Sequence, residues 1–262
     1  MAAWGYVPTG NTLKDFLYRF VGLPHPAGRV RAKVLLRYLE RHKKWRVLDL
    51  GCGEGTYSRE LSLRKVSVTG IDVSLDSLKF AVNAAERINQ RLDLIQGDAQ
   101  KLPFKTESFD EVMCLDVIEH VFEPNKVIAE VNRVLKPKGV FILSVPTPLY
   151  LTRPILPFDF SEHIKAMGHI HEGFFYEEVK EILEGEGFRL IKHEYYGKWF
   201  LRIFLELFYL FLGPDGIKKA RKSVYKQNIS ALLAFSVIYL FVNLDSIIST
   251  DGMLIMLKAV KE

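Results

Sequence analysis

The stretch Val47-Leu48-Asp49-Leu50-Gly51-Cys52-Gly53-Glu54-Gly55 decides the fold of this chain. An apolar run stops at three alternating glycines, and the helix-compatible residues 56–63 follow. Glycine adopts turn conformations that are closed to residues with a Cβ, and it lets a ligand lie against the backbone. Unpaired N–H groups at the start of the helix would face the same spot. We therefore predict a buried strand that turns sharply into a helix beside a bound ligand.

Two acidic residues follow the next two strand candidates. Asp72 ends the first of these strands and lies twenty-one residues after Gly51, and Asp98 follows the second. An acidic residue at about this distance receives the ribose hydroxyls of a bound nucleotide. A dinucleotide oxidoreductase is an alternative, but Thr56 stands where the third glycine of that pattern belongs. The spacing therefore favours a nucleotide-like ligand other than a dinucleotide.

Strand and helix candidates alternate from Arg46 onward. Such alternation predicts a parallel sheet with helices on both faces, whose ligands bind at the carboxyl ends of the strands. The predicted strands are 46–50, 66–72, 92–96, 111–114, 139–145, 188–196 and 252–260, and the predicted helices are 28–38, 56–63, 75–88, 124–135 and 177–185.

The domain organisation follows from these elements and from a chain length of 262 residues, which suits one α/β domain with insertions. We expect N-terminal cap helices at 1–45 and a core at 46–197 and 252–262. Within the core, the proline-bounded residues 147–173 form a predicted active-site loop. Residues 198–251 form a predicted apolar helical insertion, because more than fifty residues separate the last two strands.

Composition narrows the functional classes. A hydrophobic fraction of 48% with 26% charged residues is typical of a globular protein. The net charge of +5 comes without a dense basic run before residue 217, so we expect no nucleic-acid partner. The two cysteines indicate neither a disulfide framework nor a four-ligand zinc site, and residues 1–12 lack the features of a signal peptide. We therefore expect a reducing, cytoplasmic location.

Five motifs in order resemble the class I S-adenosylmethionine-dependent methyltransferases, especially the small-molecule, quinone and lipid methylases. They are VLDLGCGEG (47–55), GIDVS (70–74), QGDAQKLPF (96–104), FDEVMCLDVIEHV (109–121) and LKPKGVFILSVP (135–146). The resemblance implies an α/β, Rossmann-like sheet of seven mostly parallel strands with helices on both faces and an antiparallel last strand beside the fifth. It also implies a methyltransferase with S-adenosyl-L-methionine as its cofactor.

The same resemblance assigns roles at the cofactor site. The glycines would lie against the methionine and ribose, Asp49 would orient the amino-acid end, and Asp72 would bind the ribose hydroxyls. Val73, Asp98 and Ala99 would surround the adenine, and Leu115 would line the methionine end. The predicted cofactor-binding residues are Asp49, Gly51, Cys52, Gly53, Gly55, Asp72, Val73, Asp98, Ala99 and Leu115.

Methyl transfer needs a base only when the acceptor carries a proton to be removed. The histidines near the expected pocket mouth are the candidates, namely His120, His163, His169 and His171. Asp116, Glu119 and His120 fall at i, i+3 and i+4, so on a helical turn they would share one face and could hold a divalent cation. We favour a structural role for the Glu-His pair and predict no metal.

The insertion contains the most hydrophobic segments, 199–212 and 229–242. Neither reaches the roughly 20 apolar residues of a spanning helix, and Arg202 and Glu206 interrupt the first. A helical pair with the intervening basic residues could touch a membrane, admit an apolar acceptor or form a homodimer. Alternatively, the pair simply packs over the edge of the sheet.

These features predict a methyltransferase for a small, apolar acceptor such as a quinone or lipid. One alternative is a cofactor-binding, non-catalytic scaffold that uses the insertion for dimer or membrane association. Another is an NAD-linked oxidoreductase.

Overall fold

The structure is a computed structural model that describes residues 26–39, 45–148, 168–198, 200–204, 206–207, 210 and 252–262. The predictions for His163, for most of the loop 147–173 and for most of the insertion lie outside the described residues. So do those for residues 1–25 of the cap.

Seven strands form one sheet in the order β3-β2-β1-β4-β5-β7-β6. Neighbouring strands among β1 to β5 run parallel, whereas β7 lies antiparallel between β5 and β6. This arrangement confirms the predicted fold class. The strand order reverses between β1 and β4, which is where sheets of this type bind ligands. The strands are β1 (Arg46–Leu50), β2 (Ser67–Asp72), β3 (Asp93–Gln96), β4 (Phe109–Leu115), β5 (Leu135–Pro146), β6 (Phe188–Tyr196) and β7 (Leu254–Lys261).

Helices surround the sheet close to the predicted positions. Besides a 3-10 turn at Ile118–His120, they include α1 (Pro26–Tyr38), α2 (Thr56–Leu63), α3 (Leu75–Glu86), α4 (Pro124–Val134) and α5 (Tyr176–Gly185). The largest difference from the prediction is at β5, which begins at Leu135 instead of Gly139. Leu135 pairs with Phe109 before the register shifts, so the strand continues directly from the end of α4.

Both faces of the sheet are buried, as a parallel sheet requires. Along β5, Phe141 and Leu143 enter one core with α4 and α5, whereas Ile142 enters a second core with α1. This alternation follows from the two-residue period of a strand. The core of α1 consists of Val34, Leu35 and Tyr38, all nearly inaccessible to solvent.

The described start of the insertion is helical at residues 200–204, 206–207 and 210. Leu201 packs into the core shared with α1, and Arg202 Nε donates to Glu206 Oε1 at 2.9 Å. Leu207 and Leu210, in contrast, are exposed. Within the described part of the chain, no helix has the length and apolar character needed to cross a membrane.

The turn after β1 packs directly against the end of β4. Gly51 has a φ of +71°, and a Cβ at this position would lie 2.3 Å from Val117 Cγ2. The Gly51 and Cys52 amides both donate to the Ile71 carbonyl, at 2.8 and 3.0 Å. The turn is therefore held between β2 and β4, and only a residue without a side chain fits there.

We expect Gly51→Ala to lower the free energy of unfolding by about 2 kcal/mol, because strain at positive φ adds to overpacking against Val117. Gly185→Ala is the matched control, since a Cβ there meets nothing within 4 Å and Gly185 lies in α5. That control should be neutral or gain up to about 1 kcal/mol of helix stability. Urea unfolding of both variants measures the difference, and equal stability of the two would contradict the packing.

Candidate functional site

The glycine loop and the acidic residue after β2 are joined by a hydrogen bond. Asp72 Oδ2 accepts from the Gly53 amide at 2.7 Å, and Oδ1 accepts from the Ser74 amide at 2.8 Å. A Cβ on Gly53 would meet nothing within 4 Å, so this side of the loop is open. A carboxylate offers about four lone-pair sites. Asp72 can therefore hold the loop and still accept hydrogen bonds from the hydroxyl groups of a ligand on the open side.

The end of β3 joins the same edge of the sheet. The Gly97 amide donates to the Asp72 carbonyl at 3.0 Å, and Asp98 Oδ1 accepts from the Gln100 amide at 2.8 Å. Next to them Val73 exposes 72% of its surface. An exposed valine flanked by polar turns suits a flat, partly apolar group such as an adenine ring.

The other predicted cofactor residues line the interior of this edge. Leu115 and Cys52 are buried, Ala99 packs against the core of α4 and α5, and a Cβ on Gly55 would lie 2.8 Å from Ala81 Cβ. Burial raises the pKa of the Cys52 thiol, and the nearby Asp49 and Asp72 raise it further. The thiol therefore stays protonated at neutral pH and does not serve as a nucleophile.

Asp49 is a buried acid at the end of β1, with 2% of its surface exposed. Its Oδ2 accepts from Ser58 Oγ at 2.6 Å. Burial raises the pKa of Asp49 to about 7, against the lowering effect of the Ser58 hydrogen bond and with a further increase from Asp72. The side chain is thus poised between its neutral and charged forms near neutral pH.

Sequence reasoning missed a polar network between α1 and the ends of β4 to β6. Arg31 of α1 forms an ion pair with Asp116, and its Nε donates to the Tyr196 hydroxyl at 3.3 Å. Ser144 Oγ donates to Asp116 Oδ1 at 2.8 Å and lies 2.6 Å from the Tyr196 hydroxyl. Burial works to lower the pKa of Arg31, but Asp116, Tyr57 and Tyr196 outweigh it, so the guanidinium stays charged.

One sequence signal could have revealed this network. Arg31 precedes the buried residues Val34, Leu35 and Tyr38 by three, four and seven positions, so it shares their face of α1. A cation on a buried helix face requires a charged or polar partner.

The structure places Asp116 apart from the proposed Glu-His face. The expected helical turn containing Asp116, Glu119 and His120 is wrong, because the 3-10 turn begins at Ile118 and Asp116 precedes it with a φ of +55°. Asp116 therefore points to Arg31 and Ser144. His169 takes its place, since one ligand atom each from Glu119, His120 and His169 lie within 4.8 Å of one another.

Glu119 is the most enclosed member of this group, with 1% of its surface exposed. Its Oε2 has no hydrogen-bond partner among the described residues. Burial raises the pKa of Glu119 well above its usual range, and the Asp116 carboxylate raises it further. If a divalent cation were bound, Glu119, His120 and His169 are the residues that would hold it, since an oxygen and two imidazole nitrogens suit a transition metal.

We expect Asp116→Asn to lower the free energy of unfolding by about 2 to 3 kcal/mol, because Arg31 would lose its partner in a largely enclosed site. The matched control is Glu194→Gln, which breaks the exposed ion pair with Arg37. That control should cost less than about 1 kcal/mol. A comparable loss in both variants, measured by urea unfolding, would contradict the network.

Asp49→Asn should change the pH dependence of stability. A carboxyl whose pKa rises from 3.8 to about 7 on folding binds more protons in the folded state, so its contribution to stability falls as the pH rises towards 7. Asparagine can still accept from Ser58 but does not titrate. The variant should therefore gain about 2 to 3 kcal/mol relative to the parent between pH 5 and 8.

Asp110→Asn is the control for this measurement. Burial works to raise the pKa of Asp110, but hydrogen bonds from Arg46 and Lys136 outweigh it and lower the pKa. The stability that this carboxylate contributes is lost only at acidic pH, below the range measured. The stability difference of this variant should therefore stay level from pH 5 to 8, and a level difference for Asp49→Asn would contradict its raised pKa.

The comparisons with known proteins agree with this geometry. Residues 48–143 match a family model described as a methyltransferase domain. Over 146 residues the chain is 31% identical to a ubiquinone biosynthesis O-methyltransferase of Coxiella burnetii, a match that covers 51% of this chain and 62% of that protein. The chain thus spans about three fifths of the length of this curated relative.

Two solved structures share the fold. An S-adenosylmethionine-dependent methyltransferase from Mesorhizobium loti has a TM-score of 0.61 at 19% identity, with 90% of this chain and 100% of that chain covered. Phosphoethanolamine N-methyltransferase 2 of Haemonchus contortus, in complex with S-adenosyl-L-methionine, has a TM-score of 0.62 at 22% identity, with 94% and 56% covered. At these identities the likeness shows the fold alone. Together with the domain match and the curated relative, it shows that residues 48–143 form a methyltransferase domain with the fold of the class I S-adenosylmethionine-dependent enzymes.

Proposed function

We propose that this protein transfers a methyl group from S-adenosyl-L-methionine to a small, apolar acceptor such as a quinone or a lipid. The observation that supports this most strongly is the junction at the strand-order switch, where Asp72 holds the Gly53 amide and the Gly53 side of the loop is open. The whole-chain activity rests on this site and on relatives that the chain matches over part of their length.

The residues present fit the cofactor. Asp72 would accept from its ribose hydroxyls, Val73 would cover the adenine, and Asp98 with the Ala99 backbone would bind the adenine edge. Gly53 leaves the cofactor side of the loop open, whereas Gly51 and Gly55, on either side of Cys52 and Gly53, let the loop pack closely on Val117 and Ala81. Leu115 and Asp49 lie towards the methionine end, where a cationic ligand would favour the charged form of Asp49.

When bound, S-adenosyl-L-methionine supplies a methyl group on a sulfonium whose leaving group departs neutral. The residues of this chain therefore need to align the acceptor with the methyl group and to exclude water. Holding the acceptor atom about 3 to 3.5 Å from the methyl carbon accounts for much of the rate in reactions of this type. Leu115, buried at the end of β4, would help to exclude water at the methionine end.

Two observations support an apolar acceptor. The curated relative is named a ubiquinone biosynthesis O-methyltransferase. In addition, the helical start of the insertion buries Leu201 on the core while Leu207 and Leu210 stay exposed, which leaves an apolar side available for contact. We extend the proposal to a peripheral membrane contact or a homodimer through residues 198–251.

Calorimetric titration with S-adenosyl-L-methionine tests the cofactor site. We expect Asp72→Ala to weaken binding at least tenfold, because hydrogen bonds to a charged acceptor contribute about 1.5 to 3 kcal/mol each. Asp76→Ala is the matched control, since this exposed acid lies four residues away at the start of α3. Unchanged binding by Asp72→Ala would refute the proposed site, and preferential binding of NAD would favour an oxidoreductase.

Transfer of a radiolabelled methyl group to a panel of hydroxylated quinones and lipids tests the activity. A methylated product is the expected result. Tight cofactor binding without turnover on any member of the panel would contradict catalysis on such acceptors and favour a non-catalytic scaffold. Insertion-dependent liposome binding or dimerisation would then identify how the scaffold associates.

A further inference from the structure

The described end of the loop, residues 168–174, lies along the turn that follows β4. The amides of Ile170 and His171 both donate to the Glu119 carbonyl, at 2.8 and 3.0 Å. Further on, the Phe174 amide donates to the Pro146 carbonyl at 2.9 Å. This segment is therefore tied to the carboxyl ends of both β4 and β5.

Two histidine rings contribute to the same attachment, and each faces a backbone carbonyl. His120 Nδ1 lies 2.9 Å from the Gly168 oxygen, and His171 Nε2 lies 3.0 Å from the Val121 oxygen. A carbonyl oxygen only accepts hydrogen bonds, so the ring nitrogen facing it must carry the proton. The hydrogen bond at one nitrogen thereby decides which nitrogen of a neutral ring keeps a lone pair.

The two neutral rings therefore keep their lone pairs on different nitrogen atoms. Neutral His120 is protonated at Nδ1 and keeps the lone pair on Nε2. Neutral His171 is protonated at Nε2, and that proton is used to hold the Val121 carbonyl. His169 packs edge-on against His120, with ring centroids 4.7 Å apart and planes at 89°, and so limits the rotation of the His120 ring.

His120 also lies close to the cofactor loop. Val117 is the residue that a Cβ on Gly51 would strike, and His120 ends the 3-10 turn three positions later. The His120 amide donates to the Val117 carbonyl at 2.9 Å, so the turn keeps the two residues close. His120 is partly exposed, whereas Glu119 beside it is buried.

We propose that His120, through Nε2, is the catalytic base for a hydroxyl acceptor, and that His171 is a positioning residue that holds the turn carrying it. This inference rests on the proposed function. His120 Nε2 takes the proton from the acceptor hydroxyl as the oxygen bonds to the methyl carbon. The carbon–sulfur bond breaks with its electron pair on sulfur, which leaves a neutral thioether and an imidazolium that still donates from Nδ1 to Gly168.

Nitrogen-15 NMR of the histidine rings in the full chain tests the tautomers without any turnover. We expect the neutral His120 ring to be protonated at Nδ1 and the neutral His171 ring at Nε2. The opposite tautomer at His120 would overturn its assignment as a base through Nε2. Because no acceptor is needed for this measurement, its result does not depend on the proposed acceptor class.

Kinetics with a hydroxylated quinone test the proposed roles of His120 and His171. His120→Gln should lower kcat at least 100-fold while leaving the calorimetric Kd for S-adenosyl-L-methionine within twofold, because general base catalysis contributes about 10²–10⁴. His171→Ala should lower kcat about tenfold and disturb the His120 tautomer signal, and His171→Gln should partly restore both. His193→Gln, at an exposed position of β6, is the control and should match the parent.

Two results would overturn the inference. One is a His120→Gln enzyme that keeps the parental kcat. The other is a parent enzyme that loses activity in a chelator and regains it with a divalent cation, since Glu119, His120 and His169 would then act as metal ligands. A failure of Asp72→Ala to weaken cofactor binding would instead refute the proposed function.

Discussion

The whole site depends on the contact between the turn after β1 and the end of β4. Gly51 presses against Val117 so closely that a single added carbon would overlap it. This contact brings the turn that leads to Glu119 and His120 next to the loop that Asp72 holds. Because the strand order reverses at this junction, the connections after β1 and β4 lead to helices on opposite faces of the sheet, and the crevice between them is where such sheets bind ligands.

Burial determines how the charged groups around the junction are paired and which of them have raised pKa values. Arg31 and Asp116 pair across α1 and β4, and Ser144 and Tyr196 complete their hydrogen bonds, so neither charge is left alone in a poorly solvated place. Among the described residues, neither Asp49 nor Glu119 forms an ion pair of this kind, and burial raises the pKa of each. The site thus combines one compensated ion pair with two acids that a cationic ligand would help to ionise.

Backbone carbonyl groups determine which ring nitrogen of His120 and of His171 carries the proton. His120 and His171 are two of the four candidate bases, and sequence alone does not distinguish their ring nitrogens. In the structure, His120 faces a carbonyl with Nδ1 and His171 faces one with Nε2. The carbonyls belong to Gly168 and Val121, on two segments that approach only when residues 168–174 attach to the ends of β4 and β5. The chemical difference between the two rings therefore arises from tertiary structure.

Sequence by itself determined the alternating strands and helices and the places of the glycine loop, Asp72 and Asp98, because these depend on local periodicity and on turns of a few residues. The antiparallel last strand followed from the family resemblance. It failed at Asp116, where an assumed helix gave way to a positive φ and an ion pair with Arg31, eighty-five residues away. The tertiary structure alone decided that His169 joins Glu119 and His120, and which nitrogen of His120 is available. The physical reason is that hydrogen bonds and ion pairs between distant segments depend on how the helices and loops pack on the sheet, which no local pattern encodes.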